Sequence, residues 1–283
     1  MFWLLAIVAG VSAVICAIFL RETYAPVILA KKAERLRKQT RNPNLRSKLD
    51  SGLSKAEFFK RSIIRPMKML VLSLIVFLMS VYVAFAYGIL YVLFTTYTFV
   101  FEEKYHFSPG SVGLTYIPSG IGMFSSMLCI GIFSDRIIQG YQKNGRTLTP
   151  EMRLARRLTV PGTVALPVGL FIYGWGTDKH VHWIVPLIGT VFVGGGVMGC
   201  MIPTSTYLID AFQIYAASAI AANAIMRSLL GALVPLGGLN LYNKLGLGWG
   251  NSLLAFISLA LIPVPVLFRA YGEMIRKRFP VKL

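Results

Sequence analysis

Acidic residues are scarce. The 283 residues carry 11 Asp and Glu against 29 Lys and Arg, a formal net charge of +18. Charges of both signs make up only 14% of the chain, where a soluble domain carries roughly a quarter. Cysteine is scarce too. Cys16, Cys129 and Cys200 each fall inside an apolar run, are odd in number and lack metal-ligand spacing. That excludes a disulfide framework and points to buried thiols. The histidines, His106, His180 and His182, lie in short polar links. His180 and His182 beside Asp178 could hold zinc, but a solvated turn is the simpler account. No nucleophile elbow, His-x-x-x-His, Walker loop or pair of carboxylates at helix spacing is present. With so few acids, a membrane hydrolase or transferase has little to work with. No metal or cofactor is implied, and an enzyme is not expected.

What the chain does have is apolar sequence, in blocks. Hydrophobic residues make up 55% and mean hydropathy is +0.65. About 20 apolar residues cross a bilayer as a helix. Seven stretches qualify: Phe2–Leu20, Met69–Phe99, Val112–Phe133, Leu158–Trp175, Trp183–Leu208, Ile214–Leu239 and Trp249–Phe268. The second is overlong and is expected to tilt or project. Phe2–Leu20 has no basic stretch before it and exceeds a signal peptide's apolar core, so it reads as a retained helix. The basic residues lie between the blocks, which ties them to topology rather than to nucleic acid. Arg21–Lys68 holds 14 Lys/Arg, Arg136–Arg157 holds 6, and the tail from Arg269 holds 5. The alternate links hold only Lys104, Lys179 and Lys244. The rich segments are therefore expected in the cytosol, with the C-terminus, and the link near Asp210 joins them by parity. The N-terminus is then external. That start is unusual without a cleaved signal, and leads to the expectation that further spans precede Met1.

Residues 21–68 form the long basic connection. APVILAKKAERLRKQ is rich in helix formers. KAEFFKRSIIRPMKML sets Phe58, Phe59, Ile63 and Ile64 among Lys60, Arg61 and Arg65. Both suit short interfacial helices, the second meeting the next span at Arg65-Pro66. A loose solvated linker is the alternative.

Several residues interrupt the apolar pattern. Arg227 falls midway along AIAANAIMRSLLGALVPL, with Asn223 one turn earlier on the same side. A lone arginine there costs about 3 kcal/mol on insertion scales and needs a partner or a wet cavity. No acid in its own helix reaches it. Snorkelling towards a helix end is the alternative. Tyr87, Tyr91, Phe94 and Thr98 recur at helical spacing, with Gly88 among them. Such a stripe can line an aromatic cavity or serve helix packing. Gly195 and Gly199 form a small-xxx-small face, and Gly120 and Gly122 with Pro118 form another. Both favour close and mobile helix contacts.

Ordered motifs carry a resemblance. GIFSDR (Gly131, Asp135, Arg136) resembles the Gly-x-x-x-Asp-Arg motif of the major facilitator superfamily. PEMRL (Pro150, Glu151, Arg153, Leu154) is similar to the Pro-Glu-x-Arg-Leu motif of its fungal drug:proton antiporters. LRETYAPVIL, YGILYVLFTTYTFVF, FSPGSVGLTYIPSGIG, STYLIDAF and the closing WGNSLLAFISLALIPVPVLFRAYG fit the same order, so the resemblance covers essentially the whole chain. Phe212 stands where that branch usually has tyrosine.

The resemblance implies an all-α, polytopic membrane protein with a partial major facilitator fold. Residues 1–20 would be the sixth helix, 21–68 the central cytosolic loop, 69–268 the second six-helix half, and 269–283 a cytosolic tail. Helices one to five, which supply much of the proton coupling, have no counterpart here. It implies proton-coupled efflux of drugs, toxins or secondary metabolites at the plasma membrane. Polyamine export is one alternative; a truncated, non-transporting subunit associated with a full-length relative is another. Tyr87, Tyr91, Phe94, Asn223 and Arg227 would face the substrate cavity. Asp135 and Arg136, with Glu151 and Arg153 paired to them or to neighbouring helix ends, would gate it. The expected partners are a small-molecule substrate, protons, the bilayer and a missing N-terminal half.

Overall fold

A computed structural model describes residues 2–23, 25–42, 44–47, 55–143, 145 and 149–278. The described residues form helices and no strand. They divide into two compact units, Met1–Arg61 and Ser62–Leu283.

The first unit holds α1 (Phe2–Phe19), apolar along its length, and α2 (Ala25–Thr40). In α2 an exposed Lys38–Glu34 pair at 3.1 Å bridges successive turns and draws the Glu34 carboxyl below its ordinary range. The boundary falls within α3 (Lys55–Leu72). Phe59, Ile63 and Ile64 of α3 are exposed; the Phe58 side chain and tail residues 279–283 lie outside the described residues.

The second unit begins with the end of α3. The sequence suggested a junction at Arg65-Pro66, but the helix runs through Pro66 and breaks at Ser73. Packing explains the shift. Met69 and Leu70 are buried against Val76, Leu154, Tyr207 and Phe268, which holds the last turn of α3 despite the proline. Ser73 is extended, and its hydroxyl accepts from the Val76 N–H at 3.4 Å. This caps α4 (Leu74–Phe99) and divides the overlong second stretch in two.

Beyond α4 come a π-helical turn at Val100–Lys104, α5 (Pro109–Leu114), α6 (Ile117–Lys143) and a 3₁₀ turn at Pro150–Leu154. Then follow α7 (Arg156–Asp178), α8 (Ile184–Phe212), α9 (Ala216–Leu236), α10 (Gly238–Leu261) and α11 (Pro263–Arg278). Among the described residues, five apolar helical stretches are long enough to cross a membrane: Leu74–Lys104, Pro109–Lys143, Arg156–Asp178, Ile184–Leu236 and Gly238–Arg278. The fourth contains two of the expected spans. As one rod its 53 residues would run about 80 Å, far beyond a hydrocarbon core of about 30 Å. It breaks at Gln213, where φ is 33°. The last stretch breaks at Gly246, whose φ of 74° is in the left-handed region glycine favours. The expected seventh span starts just beyond that break.

Helix α8 is central, packed against α6 and α7; α4 packs on α9, and α7 on α10. Tyr97, Phe101, Tyr173, Val193, Cys200 and Tyr242 anchor the main core. Burial of all three thiols was expected, but only Cys200 is buried. Cys129 stands on the outer face of α6, which is apolar and mostly uncovered, as a lipid-facing helix is.

Candidate functional site

Helix α4 carries the aromatic stripe. The Tyr87 and Tyr91 rings are 4.8 Å apart and their hydroxyls 3.2 Å apart. Phe94 continues the stripe 6.2 Å from Tyr91 and leans on Tyr116 and Tyr97 at 5.4 and 5.7 Å. Tyr116 donates to the Phe94 carbonyl at 2.8 Å, which ties α6's start to α4. Tyr87 and Phe94 are half-buried, and Tyr91 and Thr98 exposed.

Helix α9 brings Arg227 onto this stripe. Its guanidinium carbon lies 4.9 Å from the Tyr87 ring centroid, in range of a cation–π contact. Nη1 donates to the Met201 sulfur of α8 at 3.3 Å, a weak acceptor. The sequence asked for a partner from another helix; the structure supplies an aromatic face and a thioether, and among the described residues no acid pairs with it. Gly231 allows the approach, since a Cβ there would meet the Tyr87 ring at 3.1 Å. Two buried donors on α9, Nε of Arg227 and, one turn earlier, Nδ2 of Asn223, itself 4% exposed, have no acceptor among the described residues. Such an orphan costs about 1–3 kcal/mol. The site therefore offers unused donors next to π faces, a combination suited to an aromatic molecule with acceptor oxygens.

Charged contacts gather at one end of the bundle. Arg153 Nε donates to Asp210 at 2.7 Å, and its Nη1 to Ser134 at 3.3 Å. Glu151, nearly buried, lies 3.4 Å from Arg276, close enough for an ion pair but without hydrogen-bond geometry. Arg65 covers the Tyr215 ring at 5.1 Å. Glu151 and Arg153 thus pair with neighbouring helix ends, not with Asp135 and Arg136. Those two are exposed and make no ion pair among the described residues.

The opposite end is held mainly by hydrogen bonds and aromatic rings. Tyr105 donates to the carbonyls of Gly176 and Val181 at 3.1 and 2.9 Å, and burial pushes its phenol up. Trp175 donates to Ser252 at 3.1 Å. The Gly248 N–H donates to Asp178 at 3.4 Å, beside the Gly246 break. Asp178 therefore serves a helix junction.

The small residues divide. Gly199 meets Gly162 backbone to backbone, and Gly122 packs on the Val191 backbone. Gly195 faces the Gly122 carbonyl. Gly120 does not pack: nothing lies within 4 Å of the place its Cβ would take. On one helix, residues two apart point to different faces, so Gly120 and Gly122 cannot serve one contact. Sequence reasoning missed Gly162, Gly231 and Met201, whose partners sit on other helices. Tyr97 was within reach, three residues from Phe94. Among the described residues no three His, Cys, Asp or Glu converge to hold a metal ion.

The sequence profile of the Major Facilitator Superfamily matches residues 1–235. The chain is 50% identical over 275 residues to the MFS-type transporter atr4 of Stereocaulon alpinum, covering 97% of this chain and 49% of that protein. It is equally identical to the MFS-type transporter penM of Penicillium rubens, covering 97% and 54%. The efflux pump radE of Floropilus chiversii is 46% identical over 286 residues, covering all of this chain and 53% of the pump. The chain thus spans about half the length of these curated relatives. No solved structure matches it significantly. On the match to the family profile and the identity across nearly all its length, this multi-pass membrane chain belongs to the Major Facilitator Superfamily.

Proposed function

We propose that these residues form the C-terminal half of an efflux transporter for aromatic, oxygen-rich small molecules such as secondary metabolites. One observation carries the reading: Arg227 lies on the Tyr87 ring, with its Nε and the Asn223 amide buried and unpaired. A ligand carbonyl or phenolate would satisfy those donors while its ring stacks on Tyr87 and Tyr91. The cavity would open between two halves near the bilayer midplane, in the manner of repeat-built transporters. The name of the radE relative, an efflux pump, agrees with this direction of transport.

No Asp or Glu lies inside any of the seven apolar stretches. Proton coupling would therefore rest on groups outside these stretches, the first half among them. Polyamine export fits less well, because Arg227 would repel a polycation and no carboxylate accompanies it. The end bearing Arg153, Asp210 and Arg276 would face the cytosol, with the C-terminus, at the plasma membrane. There the exposed Asp135 and Arg136 would meet the partner half during gating. A non-transporting subunit that associates with a full-length relative is the second reading.

The test is to join these residues to the first half of a twelve-span relative, express the fusion in pump-deficient cells, and follow efflux of a fluorescent aromatic substrate. Efflux that is abolished by Arg227→Ala supports the proposal. Efflux unchanged by that substitution refutes it.

A further inference from the structure

At the end that holds Arg153 and Asp210, a separate cavity of about 530 Å³ opens between α6, the start of α7 and α11. Arg136, Arg156, Arg157 and Arg269 line it, with Phe133 and Tyr141, and no acid among the described residues does. Four guanidinium groups around one cavity repel each other unless an anion sits among them. At this end Glu151 is engaged by Arg276 and Asp210 by Arg153, while Asp135, next to Arg136 in the chain, is exposed and does not line the cavity. Arginine presents a planar fork of donors that matches phosphate oxygens.

The walls also have an apolar continuation. On α7, Arg157, Val164 and Val168 follow at helical spacing on one face, and both valines are exposed. On α11, Val266 lies one turn before Arg269 on the same side of the helix and is half-buried. A soluble anion has no use for that strip, whereas acyl chains do.

From this geometry we infer that the cavity binds the phosphate headgroup of an anionic phospholipid, with its tails lying along α7 and α11. Basic pockets between spans on the cytosolic side take such headgroups. Placing the lipid in the cytosolic leaflet rests on the orientation proposed above; binding itself does not.

The experiment titrates the delipidated full chain in micelles, where sidedness plays no part, and reads adducts by native mass spectrometry. The probes are dioctanoyl phosphatidylserine, dioctanoyl phosphatidylcholine and inorganic phosphate. Phosphatidylserine binds more tightly than either of the others. Removing two charges, as in Arg156→Gln/Arg157→Gln, weakens it roughly 30-fold, taking each basic group near an anionic lipid at its usual worth. Arg136→Gln/Arg269→Gln does the same and decides the matter if the first variant misfolds. Lys277→Gln/Arg278→Gln removes two charges outside the cavity and changes binding less than about threefold. The inference is overturned if either folded cavity variant binds as wild type does. It is equally overturned if the tail variant loses as much as they do, or if inorganic phosphate binds as tightly as the lipid.

Discussion

Arg227 illustrates how a charge is kept within an apolar helix with no counter-ion among the described residues. The Tyr87 face and the Met201 sulfur share its guanidinium, and a cation–π contact of this kind contributes about 0.5–2 kcal/mol. Tyr87→Phe keeps the ring and is expected to leave thermal stability within about 0.5 kcal/mol of wild type; Tyr87→Leu removes the π face and lowers it by about 1–2 kcal/mol. Denaturation monitored in detergent separates the two. Tyr105 gives a pH signature. Its folded pKa is raised above the ordinary value of 10.0, so the stability it adds is complete below that pH. It is lost as pH rises through the folded value. A Tyr105→Phe variant should therefore show a shallower loss of melting temperature above about pH 10 than wild type. The sequence marked Arg227 as anomalous from its setting alone. It could not name Tyr87 as the partner, because the register of α9 against α4 is a tertiary fact.

Among elements, α7 and α8 approach closely where Gly162 and Gly199 touch through their backbones. Gly199→Leu would force the helices apart and should cost more than about 2 kcal/mol, seen as a lower yield of monodisperse protein. Gly120→Ala, facing open space, should be tolerated and even slightly favoured by helix propensity, by less than about 1 kcal/mol. Apolar runs made the helices themselves legible, since bilayer length leaves little freedom. The breaks were less so. Pro66 looked like the end of a helix, yet buried Met69 and Leu70 carry the helix to Leu72. Gly246, one glycine among 26, gave no local sign that it alone takes a left-handed bend within its helical stretch.

For the whole molecule, the paired ends fix which connections share a side. Arg153 with Asp210 and Glu151 with Arg276 bring three separate connections together, as the distribution of Lys and Arg had suggested for two of them and parity for the third. Single cysteines at positions 139 and 245 should then label from opposite faces of sealed vesicles with a membrane-impermeant maleimide, in a background lacking the three native thiols. A polypeptide of these 283 residues alone, in proteoliposomes under a proton gradient, is expected to move no substrate; measured flux above empty vesicles would contradict the half-transporter reading. The two ends are also fastened by different forces. One uses ion pairs: the partly exposed Arg153–Asp210 pair, worth about 1 kcal/mol or less and weakened by salt, and the Arg276–Glu151 pair, whose carboxyl is buried. The other uses carbonyl hydrogen bonds and edge-to-face rings, which salt hardly touches. Ionic strength should thus act unevenly on the two rims: concentrated electrolyte is expected to weaken the Arg153–Asp210 end and to leave the Tyr105 hydrogen bonds at the other end unchanged.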